Sequence, residues 1–134
     1  MAMIPAFTDL TRPYWENARE GRLVTQRCNS CANSWHPPLP VCPHCHGSDI
    51  GWRQVSGSGT VYTYTVVRHA THAALADHIP YVIAIVELAE GPRIVTGITG
   101  CDPHDVRVGL PVSVRFEAVT DEVSLPYFEP ARAN

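Results

Sequence analysis

Lysine is missing from this chain. All ten basic residues are arginines, none of them in a run, and with 13 acidic residues the formal net charge is −3. A net-acidic chain with dispersed arginines is a poor electrostatic match for nucleic acid. Long apolar stretches are missing as well. The longest, Tyr81–Val86, falls far short of the roughly 20 residues a membrane helix needs. Met1–Leu10 has neither a charged n-region nor an apolar h-region, so no signal peptide and no membrane partner are expected. Nor does the chain carry a nucleophile elbow, a Gly-rich phosphate loop or a paired acid–base motif. Charged residues make up only 17% against 45% hydrophobic, which marks a globular chain. Its 134 residues allow one ordinary domain or two very small units.

Cysteine occurs five times, and four of the five form a pattern: Cys28-Asn29-Ser30-Cys31 and Cys42-Pro43-His44-Cys45, with ten residues between the pairs. Two residues between thiolates let one tight turn point both sulfurs at one ion. Two such turns facing each other supply the tetrahedral four-sulfur site that zinc takes in structural sites. The alternative is two disulfides or unrelated thiols. With Cys28, Cys31, Cys42 and Cys45 filling the shell, no position is open for water or substrate, so the expected zinc is structural. The segment needs it. From Arg22 to Ile50 the larger apolar residues are Leu23, Val24, Trp35, Leu39, Val41 and Ile50, too few for a core. Structural zinc in small peptides contributes about 10–16 kcal/mol of apparent binding energy. His36, His44 and His46 are expected as knuckle neighbours, not ligands. Thiols kept free for metal, with no export signal, point to the reducing cytoplasm. Cys101 is left over as a small, half-buried residue; Asp102 and His104 beside it make a weak case for a nucleophile.

Pro13 suits a first helical turn, and Tyr14–Glu20 reads as two turns of helix with Trp15 and Ala18 on one face, stopped by Gly21. Trp15 must pack, either on its own chain or on a partner. Arg22–Arg27, Asn33–His36 and Ile50–Val55 read as short strands around the two knuckles, bridged by the stiff Pro37-Pro38-Leu39-Pro40. Ser56-Gly57-Ser58-Gly59 marks a boundary. Beyond it, Thr60–Val67, Tyr81–Leu88, Arg93–Thr99 and Leu110–Val119 read as strands. Four or five short strands with one longer crossing suggest a small closed OB-type barrel, with a sandwich as the rival. Arg68–Pro80 is a long loop carrying His69, His72, Asp77 and His78, expected as a surface or contact loop. Ser124–Asn134 is a stiff aromatic tail that either covers the barrel or docks into a partner. The fold class is therefore mostly β: an N-terminal helix, a zinc ribbon, then an OB-fold barrel. The units are 1–21, 22–55, 56–123 and a tail at 124–134.

In order along the chain stand the Trp15 helix ending in Glu20-Gly21-Arg22-Leu23, Cys28-x-x-Cys31, Pro37-Pro38, Cys42-Pro43-His44-Cys45 and Gly57-Ser58-Gly59-Thr60-Val61. Pro80-Tyr81-Val82, Val86-Glu87-Leu88 and Gly109-Leu110-Pro111-Val112 follow. This ordered set resembles the zinc-ribbon/OB-fold proteins encoded beside thiolase-like acyl-CoA enzymes, long labelled a domain of unknown function. The resemblance implies a rubredoxin-like ribbon on an OB barrel with no catalytic residues of its own. It also implies an accessory or scaffolding subunit that supports a thiolase-fold enzyme's active site or coenzyme A channel. Such partners include thiolases, condensing enzymes and the lipid-transfer-protein-like aldolases of steroid side-chain degradation. A heterotetramer follows by analogy with thiolase-fold dimers, with a CoA ester at the interface; which residues would meet CoA is not indicated. Some relatives are fused to a hydratase-like domain; none is read in these 134 residues, so a stand-alone subunit or an excised one is expected. On this view the spare aromatics and histidines, Tyr14, Trp15, His69, His72, Tyr127 and Phe128, are the candidates for partner binding. The rival is a nucleic-acid-binding ribbon/OB protein, with Tyr62 and Tyr64 as stacking residues. An enzyme using the histidine loop or Cys101 stands third.

Overall fold

The computed structural model describes residues 5–70, 73, 76 and 79–131. The only α-helix among them, α1 (Arg12–Arg19), starts with proline in its first turn. It ends in a left-handed Gly21, whose N–H donates to the Ala18 carbonyl while the Arg22 N–H donates to that of Asn17. This is a Schellman stop, and it turns the chain directly into the ribbon. The buried face of α1 is Tyr14 and Ala18, one helical turn apart. Trp15 lies beside that face, half-buried, and the expected Trp15–Ala18 stripe is corrected accordingly.

β1 (Val24–Cys28), β2 (Ser34–Trp35) and β3 (Ile50–Gln54) form a sheet in the order β2-β1-β3, antiparallel throughout. Its core is small: Cys28, Trp35 and Cys42, flanked by Leu39 and Ile50. One polar residue organises it. Gln26 is buried, and its Oε1 accepts from Trp35 Nε1 at 2.8 Å and from the Leu39 N–H at 2.6 Å. A single amide oxygen thus ties the second strand and the proline bridge to the first.

β4 (Ser58–Val67), β5 (Tyr81–Leu88), β6 (Arg93–Ile98), β7 (Pro111–Ala118) and β8 (Ser124–Pro130) close a barrel in the order β4-β5-β6-β8-β7. Three strands meander, and the last two return to close against the first: the OB arrangement. Strict alternation builds the interior. Val82, Ala84, Val86 and Leu88 of β5 face in, as do Ile94, Thr96 and Ile98 of β6. Tyr14, Leu23, Val24 and Val55 join this same core, so the helix and the base of the ribbon are packed onto the barrel.

Two segments differ from the sequence-based expectation. The tail is not an appendage: Ser124–Pro130 is the fifth barrel strand, paired with β7 along its whole length. Ser56–Gly59 does lie between ribbon and barrel, but its second half is already strand. β4 begins at Ser58, and Gly59 pairs with Leu88 on one side and Val112 on the other. A Cβ on Gly59 would lie 2.5 Å from the Glu87 carbonyl oxygen, and one on Gly57 would lie 2.3 Å from Val114 Cγ1. These glycines permit close approach of strands, not flexibility.

Candidate metal centre and surface groove

The two Cys-x-x-Cys turns are built alike. The Cys28 N–H donates to the Asn33 carbonyl, and the Ala32 N–H donates back to the Cys28 carbonyl. The Cys42 N–H donates to Gly47, and the His46 N–H to Cys42, at 2.8 and 2.9 Å in each turn. Each turn exits through a left-handed residue, Ala32 at φ 66° and His46 at φ 64°. Amides converge on the sulfurs: Cys31 N–H on Cys28 Sγ at 3.5 Å, and His44 and Cys45 N–H on Cys42 Sγ at 3.3 and 3.4 Å.

The four sulfurs all lie within 4.8 Å of one another. Cys28 Sγ is 3.6 Å from Cys45 Sγ, and Cys31 Sγ is 3.7 Å from Cys42 Sγ. Zinc–thiolate bonds of about 2.3 Å at tetrahedral angles put sulfurs about 3.8 Å apart, so the set fits zinc. All five cysteines are free of disulfides. Charge explains why a cation belongs here. The Cys31 N–H, foremost, brings the Cys28 thiol down to about 7. The Asn33 amide pulls Cys31 the same way, but burial and the neighbouring sulfurs outweigh it and push that thiol up to about 12. Four thiolates cannot coexist at this spacing without a cation among them. His44 and His46 are exposed, and the ligand cluster contains neither them nor His36. The centre is a structural four-cysteine zinc site.

The ribbon, helix and barrel meet at an open groove of about 360 Å³. Its walls include Trp15 of α1, Pro37 and Pro38 of the bridge, Val95 of β6 and Tyr127 of β8. Phe7 stacks on Trp15 with ring centres 6.1 Å apart. Tyr14 is buried beneath, edge-on to Trp15 and 5.2 Å from the His36 ring. Burial raises the Tyr14 phenol well above its ordinary range and lowers His36 to about 4. His36 is therefore neutral near pH 7, an uncharged part of the wall. The groove continues onto the outer face of β5 and β6, where Ile83 is exposed and Val95 is 69% exposed.

The partner-binding candidates separate here. Trp15 and Tyr127 line the groove, and Tyr14 forms its floor. Phe128 does not belong with them: it is 0% exposed, because one residue along β8 reverses the face and turns it into the core. His69 is exposed beyond β4, away from the groove lining. His72, Asp77 and His78 lie outside the described residues. The Cys101 thiol is pushed up by burial, then by Asp105 and Asp102, the opposite of nucleophile activation. Tyr62, a candidate for base stacking, is covered by the Arg93 guanidinium 3.9 Å from its ring centre, and Arg93 also pairs with Glu87. Sequence reasoning missed Gln26, Val95 and Gly97. Arg93, Ile94 and Ile98 set the parity of β6 that turns Val95 outward, but an apolar Val95 outside and a polar Thr96 inside read against it.

These features define a zinc-ribbon/OB-fold protein. Residues 15–51 match the ChsH2 rubredoxin-like zinc ribbon domain, and residues 52–117 match the ChsH2 C-terminal OB-fold domain. A DUF35 domain-containing scaffold protein of Methanocaldococcus jannaschii is 36% identical over 81% of this chain and 77% of its own length. The chain belongs to this DUF35 family, in its ChsH2-type form. It is 42% identical, over 88% of its length, to a probable enoyl-CoA hydratase alpha subunit of Thermomonospora curvata. It is 33% identical, over 85%, to the 3-oxo-4,17-pregnadiene-20-carboxyl-CoA hydratase alpha subunit of Mycobacterium tuberculosis. The chain spans 36% of each of these hydratase subunits. Among solved structures, a chain of an Ltp2-ChsH2(DUF35) aldolase superposes with a TM-score of 0.85 at 40% identity, covering 95% of this chain and 98% of that one. No helix among the described residues is long and apolar enough to cross a membrane.

Proposed function

We propose that this chain is a non-catalytic accessory subunit. It docks onto a thiolase-fold acyl-CoA enzyme, of the thiolase or lipid-transfer-protein-like aldolase kind, and supports that enzyme's active site or coenzyme A channel. The observation that carries this is the near-complete overlap with a chain from an aldolase named for two components. The relative named for a steroid-derived acyl-CoA supports a substrate in steroid side-chain degradation, and a two-plus-two assembly follows from the dimeric habit of thiolase folds.

The geometry suits such a role. Zinc holds the ribbon rigid, and the rigid ribbon holds Pro37 and Pro38 against α1 and β6. An aromatic and aliphatic groove with continuous exposed apolar surface is what a partner covers. Among the described residues the groove's one imidazole is His36, which stays neutral, in keeping with a contribution of shape.

The test is affinity purification of the tagged chain from its native host under mild conditions, with mass spectrometry of what accompanies it. A thiolase-fold protein at near-equal stoichiometry is expected. A chain recovered alone, or carrying nucleic acid that resists high salt, would overturn the proposal.

A further inference from the structure

We propose that the groove accepts an extended, uncharged segment of the partner enzyme as an added strand on the free edge of β6; this rests on the accessory-subunit reading. β6 is paired with β5 over its whole length, from Arg93 opposite Glu87 to Ile98 opposite Val82. On its other side it meets β8 at one bridge only, Ile98 with Phe128. The parity of the strand follows from two bonds: the Leu88 N–H donates to the Pro92 carbonyl toward β5, and the Thr99 N–H donates to the Phe128 carbonyl toward β8. Main-chain groups alternate in direction along a strand. Those of Ile94, Thr96 and Ile98 therefore face β5, and those of Arg93 and Val95 face away from it. Among the described residues, no strand pairing or turn bond engages the Arg93 or Val95 amides and carbonyls on that side.

The opposite wall cannot supply the missing ladder. Pro126 has no N–H, and its carbonyl accepts from Thr96 Oγ1 at 3.3 Å instead. An open strand edge offers backbone hydrogen bonds to another extended chain, while side-chain pockets select its sequence. Here the edge is recessed between Trp15, Pro37 and Pro38 on one side and Tyr127 on the other. β8 already touches β6 over Thr96 and Gly97, where Pro126 and Tyr127 pack, so the open edge is the Arg93–Val95 end, a place for one short extended segment and not for the edge of a folded sheet such as a second copy's. Charge complementarity sets the composition. Among the described residues no charged side chain lines the groove, and the arginines on the adjoining strands are already paired, Arg93 with Glu87 and Arg115 with Glu117. An acidic or basic segment gains nothing; alternating small and apolar residues fit.

The experiment uses the zinc-loaded full chain and the enzyme that copurifies with it. Amide hydrogen exchange at Arg93 and Val95 is expected to slow in the complex. Val95→Pro removes one outward N–H and leaves the β5 ladder intact, because proline is tolerated on a strand edge. It should weaken the complex about tenfold, whereas Val95→Thr, which keeps the amide, should change affinity by less than about threefold. Unchanged exchange at both amides, or a folded, zinc-loaded Val95→Pro protein that binds like wild type, would overturn the proposal while leaving the accessory role standing. Should Val95→Pro fail to fold, the wild-type exchange measurement decides. If no thiolase-fold enzyme copurifies, the accessory role falls separately. The acetylated, amidated peptide Thr-Val-Thr-Val-Thr then decides the strand site by NMR titration: shifts at Arg93–Gly97 support it, and none at millimolar peptide overturns it.

Discussion

The ribbon and the barrel solve the same problem in different ways. The ribbon has three buried residues in its own core, two of them cysteines, and depends on a metal and a few hydrogen bonds. The barrel repeats a two-residue alternation over five strands and encloses a continuous apolar interior. A small unit cannot bury enough surface to offset chain entropy, so it needs a cross-link. A closed sheet needs only its alternation.

The largest effect should come from the ribbon's metal. Cys42→Ser removes one of four thiolates, and the expected outcome is lost zinc and lost amide protection between the two knuckles while barrel amides stay protected. Elemental analysis and hydrogen exchange on one sample check this. A stably folded ribbon without zinc would erase the contrast between the regions. Next comes the barrel: Phe128→Ala opens a cavity at a fully buried site and should cost about 3–5 kcal/mol in denaturant titration, with zinc content unchanged. Loss of zinc together with stability would show that the two regions unfold as one.

The seam between them should respond to pH. His36, held at about 4 by burial, is neutral in the folded chain but takes a proton near 6.5 when unfolded. The unfolded state thus binds more protons between about pH 4 and 6.5. Stability from this residue is complete above that window and is lost as pH falls through it. The loss is on the order of 3 kcal/mol, read as the difference between zinc-loaded wild type and His36→Phe. Parallel profiles for the two proteins would dismiss His36 as the sensor. Gln26→Leu should strand the Trp35 and Leu39 N–H donors at a cost of about 1–3 kcal/mol, seen as a lower ribbon melting point. No change would mean that zinc alone holds the ribbon. The smallest effect is a gain: Ala32→Gly relieves a left-handed alanine and should add less than about 1 kcal/mol, measured by zinc competition with a chelator. A loss there would show that chain entropy outweighs the relieved strain.

Much of the fold was legible in local chemistry. The helix stop at Gly21, the paired knuckles and the strands β4 to β7 each depend on residues close in sequence. The fifth strand was hidden by its prolines. Pro126 and Pro130 argue against a central strand, yet both point their missing N–H away from β7. The Ala131 N–H donating to the Pro111 carbonyl and the Thr99 N–H donating to Phe128 place even-numbered positions of β8 on the β6 side, where pairing is almost absent. The tail therefore looked like an appendage, and Phe128 looked like a free aromatic beside Tyr127.

By itself the sequence determined the four-sulfur centre, because two Cys-x-x-Cys turns carry their own geometry, and the β class of the second half, because alternation is a property of adjacent residues. Only the tertiary structure decided which aromatic faces solvent, which strand edge stays open and where the ribbon's prolines meet the barrel. Those outcomes depend on register between segments up to about a hundred residues apart, and a shift of one residue exchanges inside for outside.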